Sequence, residues 1–324
     1  MHGLTILTPV LNDWTSLAAM LTDLDRELEH TGLAAEVVVV DDGSTVSPGV
    51  EMATCRFSRI SRVELLHLRR NLGHQRAIAI GLAFIHGERP CEAVVVMDAD
   101  GQDRPSDVPR LVRALQQEKS RPIVFAARAR RSESLMFKLC YHGYRALHRA
   151  LTGISVRVGN FSIVPFQTLS SLVAVSELWN HYAAAVFKAR LPFTTIPTHR
   201  AARISEGSRM NYFALILHGM SALSVFGEII GIRVLAAASG LAAISLMGFV
   251  GALLRHSSTG SRAAQVGVFV LGALVLLTFQ LAVMAGVLIL GVLRGRTNLT
   301  FLPVRDYRHY VRDISKTFEV SRVN

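Results

Sequence analysis

The sequence predicts an α/β domain built on a mainly parallel sheet, followed by a pair of apolar helices. Three observations carry this. Short apolar, mostly β-branched runs recur at residues 4–8, 37–40, 63–68, 94–96 and 123–126, with helix-length stretches between most of them. Each run gives way to polar or charged residues. Finally, residues 234–254 and 266–293 contain 21 and 28 positions without a charge, each beyond the roughly 20 needed to cross a bilayer.

Taken in order, the first run is halted at Pro9, and Asn12-Asp13 can cap a helix reaching His30. The second passes directly into Asp41-Asp42-Gly43-Ser44, a turn with glycine at positive φ. The third leads through Arg69-Arg70-Asn71-Leu72-Gly73 to a helix ending near His86. The fourth ends in Asp98-Ala99-Asp100-Gly101-Gln102-Asp103, and Pro105 opens a helix to about Glu118. The fifth stops at Arg128. In parallel sheets ligands bind at the carboxyl ends of strands, where all of these polar groups cluster.

Composition narrows the choices. There are 35 Lys plus Arg against 24 Asp plus Glu, and residues 121–149 carry seven basic groups against the single acid Glu133, a cationic field suited to phosphates. No helix-turn-helix, zinc-finger or RNP pattern accompanies it, so nucleic acid is not an expected partner. Cys55, Cys91 and Cys140 are scattered and read as reduced thiols. His181, His199 and His218 lack metal-binding spacing and read as structural. The N-terminus shows no basic region and cleavage site of a signal peptide.

The acidic turn after the fourth run carries the chemistry. Carboxylates at this spacing repel one another and call for a cation among them. The oxygen donors of Asp98, Asp100 and Gln102 suit Mg2+ or Mn2+, with Asp98 and Asp100 on one side of an extended chain and Ala99 facing away. The competing reading is a polar turn in which Asp103 caps the following helix. Neither G-x-G-x-x-G nor G-x-x-x-x-G-K-[ST] occurs, so a diphosphate would be handled by a metal and arginines.

On the motifs Pro9-Val10-Leu11-Asn12-Asp13, Val40-Asp41-Asp42-Gly43-Ser44, Arg70-Asn71-Leu72-Gly73-His74-Gln75 and Met97-Asp98-Ala99-Asp100-Gly101-Gln102-Asp103, residues 4 to about 165 resemble the catalytic domain of family 2 glycosyltransferases. With Gly207-Ser208-Arg209-Met210-Asn211-Tyr212 and the apolar helices, the chain is similar to the polyprenyl-phosphate sugar transferases, a branch with dolichyl-phosphate mannose synthases and bactoprenol glucosyltransferases. The resemblance implies the GT-A fold, a Rossmann-like mixed and mainly parallel sheet. It implies that Pro9, Leu11, Asp13 and Asp41 frame the nucleobase and ribose, Asp41 accepting from a base N–H, with Asp42, Arg70 and Asn71 beside them. It implies a diphosphate-bridging metal on Asp98, Asp100 and Gln102, phosphate contacts from Arg128 and Arg209, and an acceptor or sugar pocket with Asn160 and Ser208. Asp100, Arg128 and Arg209 are the expected catalytic set. Asn160 stands where many relatives have Asp; an amide cannot accept a proton, and a lipid phosphate, already anionic, needs none removed.

Residues 1–211 are therefore expected to form a cytoplasmic catalytic domain. Residues 212–232, with polar positions at helical spacing, read as an interfacial helix, a third span being the competing reading. Residues 234–254 and 266–293 read as transmembrane helices made close by Gly240, Gly248, Gly251, Gly267, Gly272 and Gly286. Residues 295–324 read as a cytoplasmic tail suited to headgroups or to a neighbouring subunit. The loop between the helices holds two arginines against nine on the flanks, Arg200, Arg203, Arg209, Arg233, Arg294, Arg296, Arg305, Arg308 and Arg312, and the positive-inside rule makes this a multi-pass cell-membrane protein with its catalytic domain in the cytoplasm; the sequon at Asn298 is discounted on that topology.

The resulting expectation is inverting transfer of a sugar from a nucleoside-diphosphate sugar to a polyprenyl phosphate, with membrane lipids as surroundings and a homo-oligomer left open. The alternatives are a transferase acting on a glycan or lipid hydroxyl, which would want a carboxylate base and usually Q-x-x-R-W, absent here, and a non-catalytic membrane scaffold.

Overall fold

A computed structural model describes residues 3–128, 143, 146, 148–153, 158–201, 203–204, 219–297 and 301–319, with backbone alone at Arg128 and residues 292–297. It divides into two compact units. The first holds residues 1–133, 156–225 and 301–324, and the second residues 134–155 and 226–300.

The first unit is organised on one eight-stranded sheet. Its strands are β1 (Leu4–Val10), β2 (Ala35–Asp41), β3 (Ile60–Leu68), β4 (Ala93–Val96), β5 (Ile123–Arg128), β6 (Ser162–Pro165), β7 (Phe193–Thr198) and β8 (Val311–Glu319), in the order β7-β5-β6-β4-β1-β2-β3-β8. The five strands expected from sequence are all present. β1 to β4 run parallel, with Leu4 beside both Ala35 and Ala93. β5, however, does not join β4: the four-residue β6 lies antiparallel between them. β7 extends the sheet parallel to β5 and carries Pro197 at the edge, where a missing N–H breaks no ladder. β8 closes the other edge antiparallel to β3.

Alternation assigns the strand side chains to two cores. Leu4, Ile6, Val37 and Val39 join α1 (Trp14–Thr31) and α4 (Val108–Gln117) on one face. Leu7, Val38, Val40, Val94 and Val96 meet α3 (His74–Glu88), α5 (Phe166–Val173) and α6 (Tyr182–Lys188) on the other, after the short α2 (Val50–Thr54) has passed. Covered on both sides, the sheet leaves its strand ends as the open rim.

The tail is part of this sheet rather than an appendage to it. Phe301 and Tyr310 pack against Trp179, at centroid separations of 3.7 and 5.0 Å, and Arg69 N donates to Tyr310 O at 2.9 Å. Trp179 thus anchors the segment that leads into β8. His181 caps α6, its Nδ1 accepting from Ala184 N at 3.3 Å, which makes it structural as expected.

The second unit is dominated by α7 (Gly227–Thr259) and α8 (Arg262–Thr297), with mean hydropathy 2.0 and 2.5 in their most apolar stretches and few buried positions. Gly260 at φ 58° turns the chain between them. Both helices outrun the expected spans; residues 227–232, assigned to an interfacial helix, begin α7, while residues 211–218 lie outside the described residues. Of the expected small-residue contacts, Gly272 lies against Phe249, Gly248 against Leu271 and Gly267 near Ala252, whereas a Cβ added at Gly240, Gly251 or Gly286 would meet nothing within 4 Å among the described residues.

Candidate active site

The carboxyl ends of β1 and β2 are stitched into one rim. Asp42 N donates to Val10 O at 2.9 Å, and Asn12, at φ 55°, accepts through Oδ1 from Thr45 N and Val46 N at 2.9 and 3.1 Å. Asn12 N donates to Ser44 Oγ at 2.9 Å. Gly43 has φ 75°, and a Cβ there would stand 2.6 Å from the backbone at Arg70 and Asn71, so only glycine lets the two strand-end turns touch.

Two adjacent aspartates in this rim have different environments. Asp42 is buried, and its oxygens accept from Leu72 N at 2.8 Å and Gly73 N at 2.9 Å. Burial pushes its carboxyl up, against those two bonds and His74. Asp42 therefore shapes the Arg70–Gly73 turn that starts α3. Asp41 accepts from Ser44 N at 2.8 Å and lies 2.9 Å from His67 Nδ1. Around them, Pro9 is buried in β1, Leu11 is exposed, Asp13 caps α1 by accepting from Ser16 N at 3.3 Å, and Arg70 and Asn71 are exposed on the neighbouring turn.

β4 ends at Val96, and residues 97–103 form a tight turn instead of a continued strand. Asp103 closes it, accepting from Asp98 N at 3.0 Å; the helix cap that the competing reading gave it falls at Arg104 instead. A 3-10 turn from Pro105 to Asp107 leads into α4. Ala99 is buried and Asp98 and Asp100 are partly exposed, but residues 99–100 lie in a turn and not on the extended chain that the alternation argument assumed. Asp100 Oδ1 accepts from Gln102 N at 3.0 Å, and its Oδ2 takes Arg203 Nε and Nη2 at 3.1 and 2.9 Å. Backbone bonds lay the strap after β7 over the same turn: Ala201 N to Gln102 O at 3.0 Å and Ile204 N to Asp100 O at 3.1 Å. Gly101, at φ 78°, makes room for Ile204.

Asp98 Oδ1 lies 3.1 Å from His74 Nε2. Burial pulls the His74 imidazole down, but the carboxylates of Asp98, Asp103 and Asp100 outweigh it and hold its pKa above the usual value. Asn160 Nδ2 is 3.0 Å from the same nitrogen, while its Oδ1 accepts from Gln75 Nε2 at 3.2 Å. Gln75 Oε1 accepts from Tyr182 N at 2.7 Å, which obliges its other end to donate and so fixes the Asn160 amide. Asn160 thus sits beside the acidic turn, connected to α3 and α6.

A hard divalent ion needs oxygen donors, which Asp98 and Asp100 offer; Arg203 and His74 stand beside those carboxylates, where an entering cation would displace them. Among the described residues no three His, Cys, Asp or Glu gather as a metal cage. Two carboxylates completed by substrate phosphates are the usual Mg2+ arrangement, so the residues fit such an ion.

The expected site residues Asp98, Asp100, Gln102 and Asn160 meet at the β4 end, and Asp41 with Asp42 at the β2 end. Arg128 is placed as the last residue of β5, opposite Thr198, its side chain lying outside what is described. Ser208 and Arg209 also lie outside the described residues. Sequence reasoning gave no role to His74, Gln75, His67 or Arg203. His74 and Gln75 stood in a quoted motif, at the first turn of α3, and could have been singled out; Arg203 is brought in from 103 positions away and had no local signal.

The fold is an α/β sheet whose polar groups gather at the carboxyl ends of its strands, where ligands bind in such sheets. Residues 5–170, 166 of 324, match the model for glycosyl transferase family 2, and the chain belongs to that family. It is a glycosyltransferase. It is 27% identical over 307 residues to the undecaprenyl-phosphate 4-deoxy-4-formamido-L-arabinose transferases of Salmonella newport and Salmonella agona, covering 90% of this chain and 88% of theirs. Among solved structures, glucosyl-3-phosphoglycerate synthase from Mycobacterium tuberculosis, in complex with Mn2+, UDP-glucose and phosphoglyceric acid, aligns with TM-score 0.51 and 16% identity over 71% of this chain and 80% of that one. Mannosyl-3-phosphoglycerate synthase from Rubrobacter xylanophilus aligns with TM-score 0.50 and 13% identity over 69% and 72%. These two establish the GT-A fold.

Proposed function

We propose that this membrane protein transfers a sugar from a nucleoside-diphosphate sugar to a polyprenyl phosphate at the cytoplasmic face of the cell membrane, inverting the anomeric centre. The acidic turn at the end of β4, with Asp100 held by Arg203 and Asp98 beside His74, is the observation that carries the reading. The named activity of the Salmonella relatives, similar over nine-tenths of this chain, supports the lipid-phosphate acceptor. Two exposed apolar helices support an anchor, which such an acceptor requires because it cannot leave the bilayer. The arginines flanking the helices favour a cytoplasmic catalytic unit, comprising residues 1–225 and the 301–324 tail apart from the 134–155 segment.

Asp98, Asp100 and Gln102 would hold a divalent ion, Mg2+ or Mn2+, which when bound neutralises charge growing on the leaving diphosphate. Asp41 accepts from the nucleobase. Arg128 and Arg209 contact phosphates, of the donor or the acceptor. Asn160 orients the acceptor side without taking a proton, because the attacking phosphate oxygen is already anionic and attacks in line, expelling the nucleotide from the opposite face.

The test is the full-length chain in nanodiscs with radiolabelled UDP- and GDP-sugars and undecaprenyl phosphate, with Mn2+ or with excess chelator. Lipid-linked product that needs the metal and falls at least about a hundredfold in Asp100→Asn is the expected result. Equal product in chelator, or an unaffected Asp100→Asn, overturns it.

A further inference from the structure

The rim at the end of β2 is tied to the last strand of the chain through one imidazole. Asp41 Oδ2 is 2.9 Å from His67 Nδ1, and His67 Nε2 is 2.9 Å from Ser315 Oγ. Asp41 and His67 are largely enclosed, with side chains 8% and 12% exposed. Ser315 stands on β8 opposite Leu65, the residue two before His67 on the same face of β3. Nothing in the local sequence requires this meeting, since 248 positions separate the imidazole from the hydroxyl.

Donor and acceptor bookkeeping gives the three groups distinct parts. An ionised carboxylate only accepts, so the proton between His67 and Asp41 belongs to Nδ1. A neutral imidazole has one N–H, so Nε2 is then a lone pair and the Ser315 hydroxyl is its donor. With Ser44 N on Asp41 Oδ1 and His67 on Oδ2, the carboxylate plane is held from both sides. Each oxygen keeps a second lone pair for a ligand.

We infer that His67 and Ser315 are positioning residues for donor recognition: Asp41 sets the His67 tautomer, Ser315 holds the ring in place through Nε2, and Asp41 so held accepts the ring N–H of the nucleobase. This rests on the proposed donor site. Its chemical consequence is base selectivity, because uracil and guanine present a ring N–H at their pairing edge whereas neutral cytosine and adenine present only a lone pair there. The last strand, delivered to the sheet after the apolar helices, thereby takes part in choosing the nucleotide.

The experiment is calorimetric titration of the full chain in detergent, with Mg2+, against UDP, GDP, CDP and ADP, for wild type, Ser315→Ala, Ser315→Thr, His67→Asn and His67→Asn/Ser315→Ala. Wild type should bind UDP or GDP in preference to CDP and ADP. Ser315→Ala should weaken the preferred nucleotide about tenfold and leave CDP and ADP unchanged, and Ser315→Thr should restore it. In His67→Asn the amide N–H stands near the Nδ1 position without a second ring nitrogen for Ser315 to hold, so adding Ser315→Ala should change nothing further. A merely structural hydroxyl would weaken all four nucleotides alike. That result, unchanged affinity in Ser315→Ala, or an equal loss in the His67→Asn background overturns the relay alone. A wild type that binds none of the four overturns the donor site and the relay with it.

Discussion

Replacing Arg203 by alanine tests the acidic turn from an unusual direction. The guanidinium faces Asp100 Oδ2 through two nitrogens at 3.1 and 2.9 Å, on the carboxylate expected to hold the metal. Two unit charges near 4 Å attract by about 4 kcal/mol at the effective dielectric of a protein surface. Arg203 is 36% exposed and Asp100 16%, so water and the cost of holding a long side chain remove most of that, leaving about 1 kcal/mol. A cation entering the site must displace this pair, and Arg203→Ala removes the competition. The variant should bind Mn2+ about fivefold more tightly in the absence of nucleotide, read as loss of the free-ion signal in electron paramagnetic resonance titrations. The same substitution should lower turnover, because the strap loses the charge that faces the phosphates once the metal has claimed Asp100. Unchanged or weaker Mn2+ binding would refute the reasoning, since Asp100 would then not be a ligand that Arg203 blocks.

Arg89 donates to the nearly inaccessible Glu64 through Nε and Nη2 at 2.7 and 2.6 Å; Arg89→Ala leaves that carboxylate buried and unmatched, about 3 kcal/mol less stable, and should lower the unfolding midpoint by roughly 6–12 °C in thermal scans. Glu64→Leu/Arg89→Leu should recover most of the loss, which separates the stranded charge from lost packing. Burial pushes the Cys91 thiol up to about 11 from 9.0, so at pH 8 it should alkylate with iodoacetamide about a hundredfold more slowly than an ordinary thiol, measured by mass spectrometry of the intact chain. The folded thiol stays protonated where the unfolded one ionises, so the stability present below pH 9 is lost as pH rises towards 11.

What the sequence by itself determined is the local part of this protein. Val37 to Val40, Val94 to Val96 and the helices after Asp13 and Gly73 follow from side-chain periodicity and turn chemistry within a dozen residues, and the structure keeps them. The acidic turn was legible for the same reason, three carboxylates and an amide in six positions being a local demand for positive charge. The two apolar helices were legible because length and absence of charge suffice.

Tertiary structure alone decided who meets whom. β6 is four residues, too short to show a period, and earns its place between β4 and β5 only by pairing with both. β8 reads as a polar tail with two basic and two acidic residues until the edge of β3 supplies partners for its backbone. Asp41 was readable as an acceptor, but His67 and Ser315 behind it were not, and Arg203 reaches Asp100 only because β7 returns the chain to the β4 end. Periodicity constrains neighbours along the chain; contacts between distant strands are settled by burial and hydrogen-bond satisfaction in the folded sheet, which no short window of residues contains.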